Sequence, residues 1–400
     1  MRRWASCAAG STARPSTRAR ARSAARGAAA RASRPPRPSS PWTRAGPWSS
    51  PSKRTPSRAS SSSWAAPGPS AGATSRRASR SRPGASPSSS ASRARKSASS
   101  SMPLSVQVQC PAKVNLFLEV TGKRRDGYHT LATLFAKVGL FDVLDVERTD
   151  EPGFRLEIVD EAGQGLSAGP DNLVLRAAEA FRKEFRLGFG ARIKLTKRIP
   201  MGAGLGGGSS DAGGMLVALA RLHRLELDRS AMARVRKLAP ALGADVPFFT
   251  RRDAFCDGRG IGDKLKVLEV PKALPWMVLA WPGVHCPTPE AYKRLVLPPK
   301  ADVLTRLAQL AKLEKRLVGG RPLSEWEGLL FNRLEDPVLG VRPEVRQAKD
   351  ILARAGLRGV LMSGSGASVF GFAPSREEAA AAARKLAAYP WKVYLTCCLG

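Results

Sequence analysis

The chain has 400 residues, of which 66 are Lys or Arg and 32 are Asp or Glu, a formal net charge of +34. Residues 1–101 hold 21 of the basic residues and no acid, which leaves 45 basic against 32 acidic residues, or +13, for the rest. A balance of +13 suits a small polyanion such as a nucleotide and does not call for nucleic acid, and no apolar run approaches the roughly 18 residues that a membrane span needs.

Residues 1–101 contain no Leu, Ile, Val, Phe, Asp or Glu. Such a segment cannot bury enough apolar surface to offset its ordering entropy, so a disordered basic extension is expected. Three origins fit it. It has the Arg-rich, Ser-rich, acid-free composition of a transit peptide. It also has the charge of a nucleic-acid-binding arm. The favoured reading is a third, translation of GC-rich DNA upstream of a start codon set too early, with Met102 as the true start. The six cysteines, Cys7, Cys110, Cys256, Cys286, Cys397 and Cys398, form no C-x-x-C pair or zinc pattern. A reduced, cytoplasmic setting is therefore expected, and a plastid only if the extension is a transit peptide.

From Met102 the pattern becomes that of a folded protein. Leu104, Val106, Val108 and Cys110 alternate as a strand, and after Pro111 so do Val114, Leu116, Leu118 and Val120. The opposite face of the second strand carries Lys113, Asn115, Phe117 and Glu119, so Lys113 and Asn115 point the same way. Lys123-Arg124-Arg125-Asp126-Gly127 is a turn. Tyr128-His129 leads from it into 131–137, and 141–146 returns as a strand. Residues 171–186 form a helix with Asp171 or Asn172 as its cap. Ala191, Ile193 and Leu195 alternate as a strand, and Leu216, Leu219 and Leu222 recur at helical spacing.

Between that strand and that helix lies Pro200-Met201-Gly202-Ala203-Gly204-Leu205-Gly206-Gly207-Gly208-Ser209-Ser210-Asp211, with five glycines in seven positions. Glycine admits positive φ and lets backbone N–H groups come close to a ligand. A helix start favours an anion. The stretch therefore reads as a nucleotide phosphate cradle. Further on, 228–242 is a helix stopped by Gly243, and Asp245 stands between it and an apolar turn. Cys256-Asp257-Gly258-Arg259-Gly260 reads as another turn.

A second region begins near residue 263. Trp276–Trp281 is a strand, a helix starts at Pro287-Thr288-Pro289, and 301–318 is helical. Residues 343–355 form a helix with Pro343 first and Gly356 as stop. Met362-Ser363-Gly364-Ser365-Gly366-Ala367-Ser368 is a second small-residue loop running into a strand. A helix over 375–388 and a strand over 391–395 close the chain. Strands and helices mixed in this way indicate an α/β or α+β protein of two lobes.

The glycine loop lacks the Lys of G-x-x-x-x-G-K-[ST], and the V-A-I-K, H-R-D and D-F-G motifs are absent. G-x-G-x-x-G is matched only loosely, with no acid about 20 residues on to take a ribose. The chain instead resembles the GHMP kinase family, whose mark is P-x-G-x-G-L-x-S-S-A-A or a near variant. Three further stretches agree, in the family's order and spacing. They are Pro111-Ala112-Lys113-Val114-Asn115-Leu116-Phe117-Leu118 with Arg125-Asp126-Gly127-Tyr128-His129-Thr130, then Leu242-Gly243-Ala244-Asp245-Val246-Pro247-Phe248, then Gly364-Ser365-Gly366-Ala367-Ser368-Val369-Phe370. The resemblance covers essentially all of 102–400 and none of 1–101. One departure is Gly213-Gly214, where the family has alanine or similar; each costs a helix on the order of 1 kcal/mol relative to Ala.

The resemblance implies a two-lobed GHMP kinase fold, with an ATP-binding domain over 102–262 and a C-terminal domain over 263–400. It implies transfer of phosphate from ATP, with Mg²⁺, to the 2-hydroxyl of a cytidine diphosphate-linked methylerythritol, a step of the non-mevalonate route to isoprenoids. By the same resemblance Asp245 is the catalytic base and Lys113 its cationic partner, while Pro200 through Ser210 hold ATP. Asn115 and Thr288 face the substrate. Tyr128 and His129 take its cytosine, and Tyr292 is a second stacking ring. Gly364, Ser365 and Gly366 form a further backbone surface towards the phosphates. Ser210 is a candidate metal ligand, and the metal's ligands are otherwise open. A monomer or homodimer, without nucleic acid or membrane, is expected. The alternatives are another GHMP kinase, of homoserine or mevalonate type, or a nucleic-acid-binding protein acting through the basic extension.

Overall fold

The two alternating segments on either side of Pro111 are one strand, β1 (Ser105–Lys123), paired antiparallel with β2 (His129–Thr149). The computed structural model describes residues 104–400, and the expectation for 1–101 lies outside the described residues. Pro111 has no N–H to give a ladder; the register shifts between Pro111 and Ala112, so β1 passes through it as a bulge. A second shift falls between Asn115 and Phe117. Both faces of β1 from Ala112 to Val120 are buried, so Lys113 and Asn115 sit on a covered face.

The chain continues through β3 (Gly153–Asp160), α1 (Leu173–Phe185), β4 (Gly190–Lys197), α2 (Gly207–Leu222), α3 (Arg229–Leu242), α4 (Val246–Phe249), β5 (Phe255–Gly260) and β6 (Lys264–Val267). Then come β7 (Trp276–Trp281), α5 (Thr288–Lys293), α6 (Lys300–Val318), β8 (Phe331–Asn332), α7 (Glu335–Leu339) and α8 (Pro343–Arg354). Strands β9 (Arg358–Met362) and β10 (Val369–Ala373), helix α9 (Arg376–Leu386) and strand β11 (Lys392–Thr396) complete it. The larger sheet has the order β3-β4-β2-β1-β8, with β5 on β2 and β6 on β5; the smaller has the order β11-β7-β10-β9. β8 joins the larger sheet, and Arg333 just after it donates to both oxygens of the buried Glu119 carboxylate of β1, at 2.8 and 2.7 Å.

Local chemistry sets the helix starts. Asn172 Oδ1 accepts from Val174 N at 2.9 Å, Asp228 Oδ1 from Ser230 N at 2.7 Å, and Ser375 Oγ from Glu378 N at 3.1 Å. Helices α1 and α2 cover the larger sheet and α3 packs on those two helices, with Phe181, Met215, Leu219 and Val235 in one core cluster with Leu144, Val146 and Ile193.

Two readings change. The stretch from Cys256 to Gly260 is strand β5, not a turn. A Cβ at Gly258 would come within 2.8 Å of the Phe135 ring, so the glycine lets β5 lie against an aromatic strand. Gly213 and Gly214 are likewise close-packing sites. A Cβ at Gly214 would stand 2.3 Å from Cys110 Sγ, and one at Gly213 would stand 2.7 Å from Phe249 Cβ. Strand β1 and helix α4 therefore reach α2 at distances that alanine would forbid.

Candidate active site

The glycine loop is bound on one side to β1 and on the other to the second small-residue loop. Lys113 N donates to Leu205 O at 2.9 Å, Ser363 Oγ to Gly204 O at 2.9 Å, and Ser368 N to Ala203 O at 3.1 Å. Gly204 has φ +75°, and a Cβ there would fall 1.9 Å from Ser363 O, so glycine is required twice over. Gly206, with φ +68°, stands at the N-cap of α2 beside the Lys113 side chain. The first turn of α2 starts at Gly207 and leaves its N–H groups without intrahelical acceptors.

Next to that turn lie Lys113 and Asp245. Lys113 Nζ is 3.5 Å from Asp245 Oδ2; the lysine side chain is buried and the aspartate side chain is 29% exposed. A hydrogen-bonded relay places the ammonium. Lys113 Nζ donates to Asn115 Oδ1 at 2.6 Å, Asn115 Nδ2 to Thr133 Oγ1 at 2.8 Å, and Thr133 Oγ1 to Phe117 O at 2.7 Å. Asp245 is carried at the start of α4, a short helix where an apolar turn was expected. The Phe248 ring of α4 stacks on Phe135 of β2 at 5.2 Å, and the Lys113 ammonium lies 5.5 Å from the Phe135 ring. One aromatic pair thus fixes acid and ammonium in relation to each other. Beyond it, the Lys137 ammonium lies 4.9 Å from the Phe248 ring and donates to Arg251 O at 2.6 Å; burial pushes its pKa down to about 8.

At the other end, the His129 ring stacks on Tyr292 at 4.9 Å and 23°. Burial, and then the charge of Lys123, lower the His129 pKa, which favours a neutral imidazole. Burial, and then Asp245, raise the Tyr292 phenol. Tyr128 stands on the rim, 62% exposed. Thr288 Oγ1 and Ser365 Oγ share a hydrogen bond of 2.9 Å, and Asn332 Nδ2 donates to Met362 O and Gly364 O at 2.8 Å each.

A cleft of about 1160 Å³ joins these parts. Its lining brings together Lys113, Asn115, Tyr128, His129, Asp245, Thr288, Tyr292, Gly364 and Ser365, with Pro200, Met201, Gly202, Ala203, Gly204, Gly206, Gly207, Gly208 and Ser209. Leu205, Ser210 and Gly366 do not line it. Leu205 is a core residue. The buried Ser210 hydroxyl donates to Pro111 O at 2.7 Å and ties α2 to β1. Among the described residues, no group of three or more His, Cys, Asp or Glu is arranged to hold a metal ion. Thr133, Phe135, Ser363 and Asn332 were missed from sequence. Thr133 and Phe135 are recognisable only through the β1–β2 register, and Asn332 lies in a two-residue strand without a periodic signal.

The pattern of the GHMP kinases N terminal domain matches residues 172–252, and that of the GHMP kinases C terminal matches residues 313–390. The chain is 40% identical over 285 residues to a 4-diphosphocytidyl-2-C-methyl-D-erythritol kinase of Citrifermentans bemidjiense, covering 70% of this chain and 94% of the relative. It is 41% identical over 283 residues to the enzyme of that name from Thermus thermophilus, covering 70% and 92%. A crystal structure of 4-(cytidine 5'-diphospho)-2C-methyl-D-erythritol kinase superposes with a TM-score of 0.60 at 37% identity, over 74% of this chain and 100% of that one. The chain belongs to the GHMP kinase family. Within that family it is similar to the kinases named for 4-diphosphocytidyl-2-C-methyl-D-erythritol.

Proposed function

We propose that the chain transfers the γ-phosphoryl group of ATP to the 2-hydroxyl of 4-diphosphocytidyl-2-C-methyl-D-erythritol, releasing ADP, in the methylerythritol phosphate route to isoprenoids. The observation that carries this reading is the Lys113–Asp245 pair at the end of the glycine loop, in one cleft with the His129–Tyr292 ring pair.

In the reaction the substrate oxygen forms a bond to the γ-phosphorus, the bond from that phosphorus to the bridging oxygen of ADP breaks, and the hydroxyl proton leaves. Asp245, partly open to the cleft, is the acceptor of that proton. Lys113 supplies positive charge to the developing oxyanion, and the Asn115–Thr133 relay keeps the ammonium from swinging away. The loop N–H groups and the start of α2 receive the phosphates. A glycine at 206 keeps the path between loop and Lys113 open, since a Cβ there would lie 3.1 Å from Lys113 Cγ. Magnesium neutralises phosphate charge in reactions of this kind, held mainly by phosphate oxygens and water. The described residues offer it no cage of three or more carboxylate, imidazole or thiol side chains.

The aromatic end supports a cytosine site. The His129–Tyr292 stack gives a flat apolar face, a neutral imidazole offers one donor and one acceptor, and Tyr128 is free at the rim to close over a base. Domains of 102–262 and 263–400 are supported by the change from the larger to the smaller sheet between β6 and β7, with β8 as the exception. Among the described residues the five cysteines are all free, which supports a reducing compartment such as the cytoplasm. Among the described residues no helix is long and apolar enough to cross a membrane. A monomer or homodimer acting on small molecules suits the +13 balance of residues 102–400.

Phosphorus NMR of the product tests the site of transfer. The 2-hydroxyl sits on a carbon that also bears the methyl group and no hydrogen. The new phosphate resonance should therefore be a singlet without three-bond proton coupling. A proton-coupled resonance, marking a primary or secondary ester, would contradict the assignment.

A further inference from the structure

Lys197 ends β4 just before the glycine loop, and Asp211 lies in α2 just after it. Their side chains meet under the loop, with Lys197 Nζ 2.8 Å from Asp211 Oδ2. The same ammonium bonds Asp142 Oδ2 of β2. The other Asp142 oxygen accepts from the backbone N–H of Arg198 at 2.5 Å and of Ile199 at 2.8 Å. None of the three side chains is more than 2% exposed, and none lines the cleft. The ammonium also stands against the start of α2, 2.8 Å from where a Cβ of Gly207 would be.

Two carboxylates and one ammonium are costly to bury, and well-packed apolar side chains serve stability as well or better. What apolar side chains do not supply is direction: Asp142 holds the backbone N–H groups of Arg198 and Ile199 at the entry to the loop, and Lys197 ties that carboxylate to Asp211 in the helix that leaves it. We propose that Asp142, Lys197 and Asp211 form a clamp that sets the geometry of the phosphate loop for nucleotide binding. They are positioning residues acting through the loop, and the proposal rests on the reading of that loop as the ATP site.

The clamp is also proton-linked. Burial raises the Asp211 pKa to about 7, against the pull of Lys197 and with the push of Asp142. Lys197 is itself held above its ordinary value; burial opposes this, and Asp211 and Asp142 outweigh it. The other groups facing the cluster keep their protons near neutrality. Burial and then Asp211 push the Cys110 thiol up from β1, and burial and then Asp142 push Tyr394 of β11 up to about 12. Arg198 remains charged, paired with Glu161. Asp211 Oδ1 is buried without a hydrogen-bond partner, so nothing on that side fixes the carboxylate in its ionised form. Ionisation of Asp211 adds negative charge beneath a helix start that receives phosphates, so nucleotide affinity should fall as pH rises through neutrality.

Calorimetric titration of the full chain with magnesium and ATP tests this in wild type, Asp211→Ala and Asp211→Asn. The clamp predicts about tenfold weaker ATP binding in Asp211→Ala, less than twofold change for the cytidyl substrate, and ATP binding restored to within threefold in Asp211→Asn. It also predicts that the ratio of wild-type to Asp211→Asn dissociation constants for ATP rises at least threefold from pH 6 to pH 8; taking the ratio removes ATP's own titration. Asp211→Asn keeps the shape of the side chain and carries the test if Asp211→Ala does not fold. Equal ATP affinity in folded wild type and Asp211→Ala, or a pH-independent ratio, would overturn the clamp and leave the kinase reading standing. Wild type that binds the cytidyl substrate but not ATP would overturn the kinase reading itself.

Discussion

Lys113 is placed by three hydrogen bonds in series, each depending on the next, through Asn115 and Thr133 to the carbonyl of Phe117. Alternation along β1 is enough to put Lys113 and Asn115 on one face. It does not reveal Thr133, which reaches Asn115 across a register that shifts at three points. Thr133→Val should destabilise the fold by about 1–3 kcal/mol in urea unfolding, because Asn115 Nδ2 would be left buried and unpaired. An unchanged midpoint would mean that the relay is not formed. Asp245→Asn should lower kcat by about 10² to 10⁴, the usual range for a lost general base, with ATP affinity unchanged within about twofold. Near-normal turnover would remove Asp245 from its role. Of the candidate site residues in contiguous motifs, all but Leu205, Ser210 and Gly366 line the cleft. A motif position does not show whether a hydroxyl such as that of Ser210 faces the cleft or the strand behind it, where it bonds Pro111 O.

At the scale of elements, most helices were readable from caps and periodicity, as with Asn172, Asp228, Pro343 and Ser375. Glycines were the source of error, because a glycine that marks a turn and one that admits a neighbour have the same symbol. Gly258 lies within β5 and Gly214 within α2, each where another chain segment comes too near for a Cβ. Gly214→Ala should therefore destabilise the protein by about 1–3 kcal/mol, despite the better helix propensity of alanine. Adding Cys110→Ala, which removes the Sγ atom 2.3 Å from the new carbon, should recover at least half of that loss. Chemical denaturation of the two variants measures both. A stabilising Gly214→Ala would show that β1 does not press on α2 as described. Elements without periodic signal, β8 above all, escaped the sequence reading.

For the molecule as a whole, buried charge links segments far apart in the chain. The Glu119–Arg333 pair joins β1 to the end of β8, so Glu119→Gln should cost about 2–3 kcal/mol in unfolding free energy by weakening a paired, largely buried guanidinium. A loss below about 0.5 kcal/mol would mark the pair as incidental. The Asp142–Lys197–Asp211 cluster makes stability depend on pH. An Asp211 pKa of about 7 in the folded chain, against 3.8 as the ordinary value, means that the folded state keeps a proton the unfolded state releases. The stabilisation from that proton is full below about pH 4 and is lost as pH rises to 7. Compared with Asp211→Asn, wild type should therefore lose ground in urea midpoint between pH 5 and pH 8. A constant difference would contradict the shift. Two-lobed organisation was legible from the order of strands and helices, whereas the passage of β8 into the larger sheet is a long-range pairing that no local pattern encodes.

The proposed reaction is phosphoryl transfer from ATP to one particular alcohol. Release of ADP by the full chain, offered the cytidyl methylerythritol substrate, mevalonate and homoserine in separate reactions with magnesium and ATP, tests it most directly. ADP release is expected with the cytidyl compound and none above the blank with the other two. Release with mevalonate or homoserine alone would contradict it.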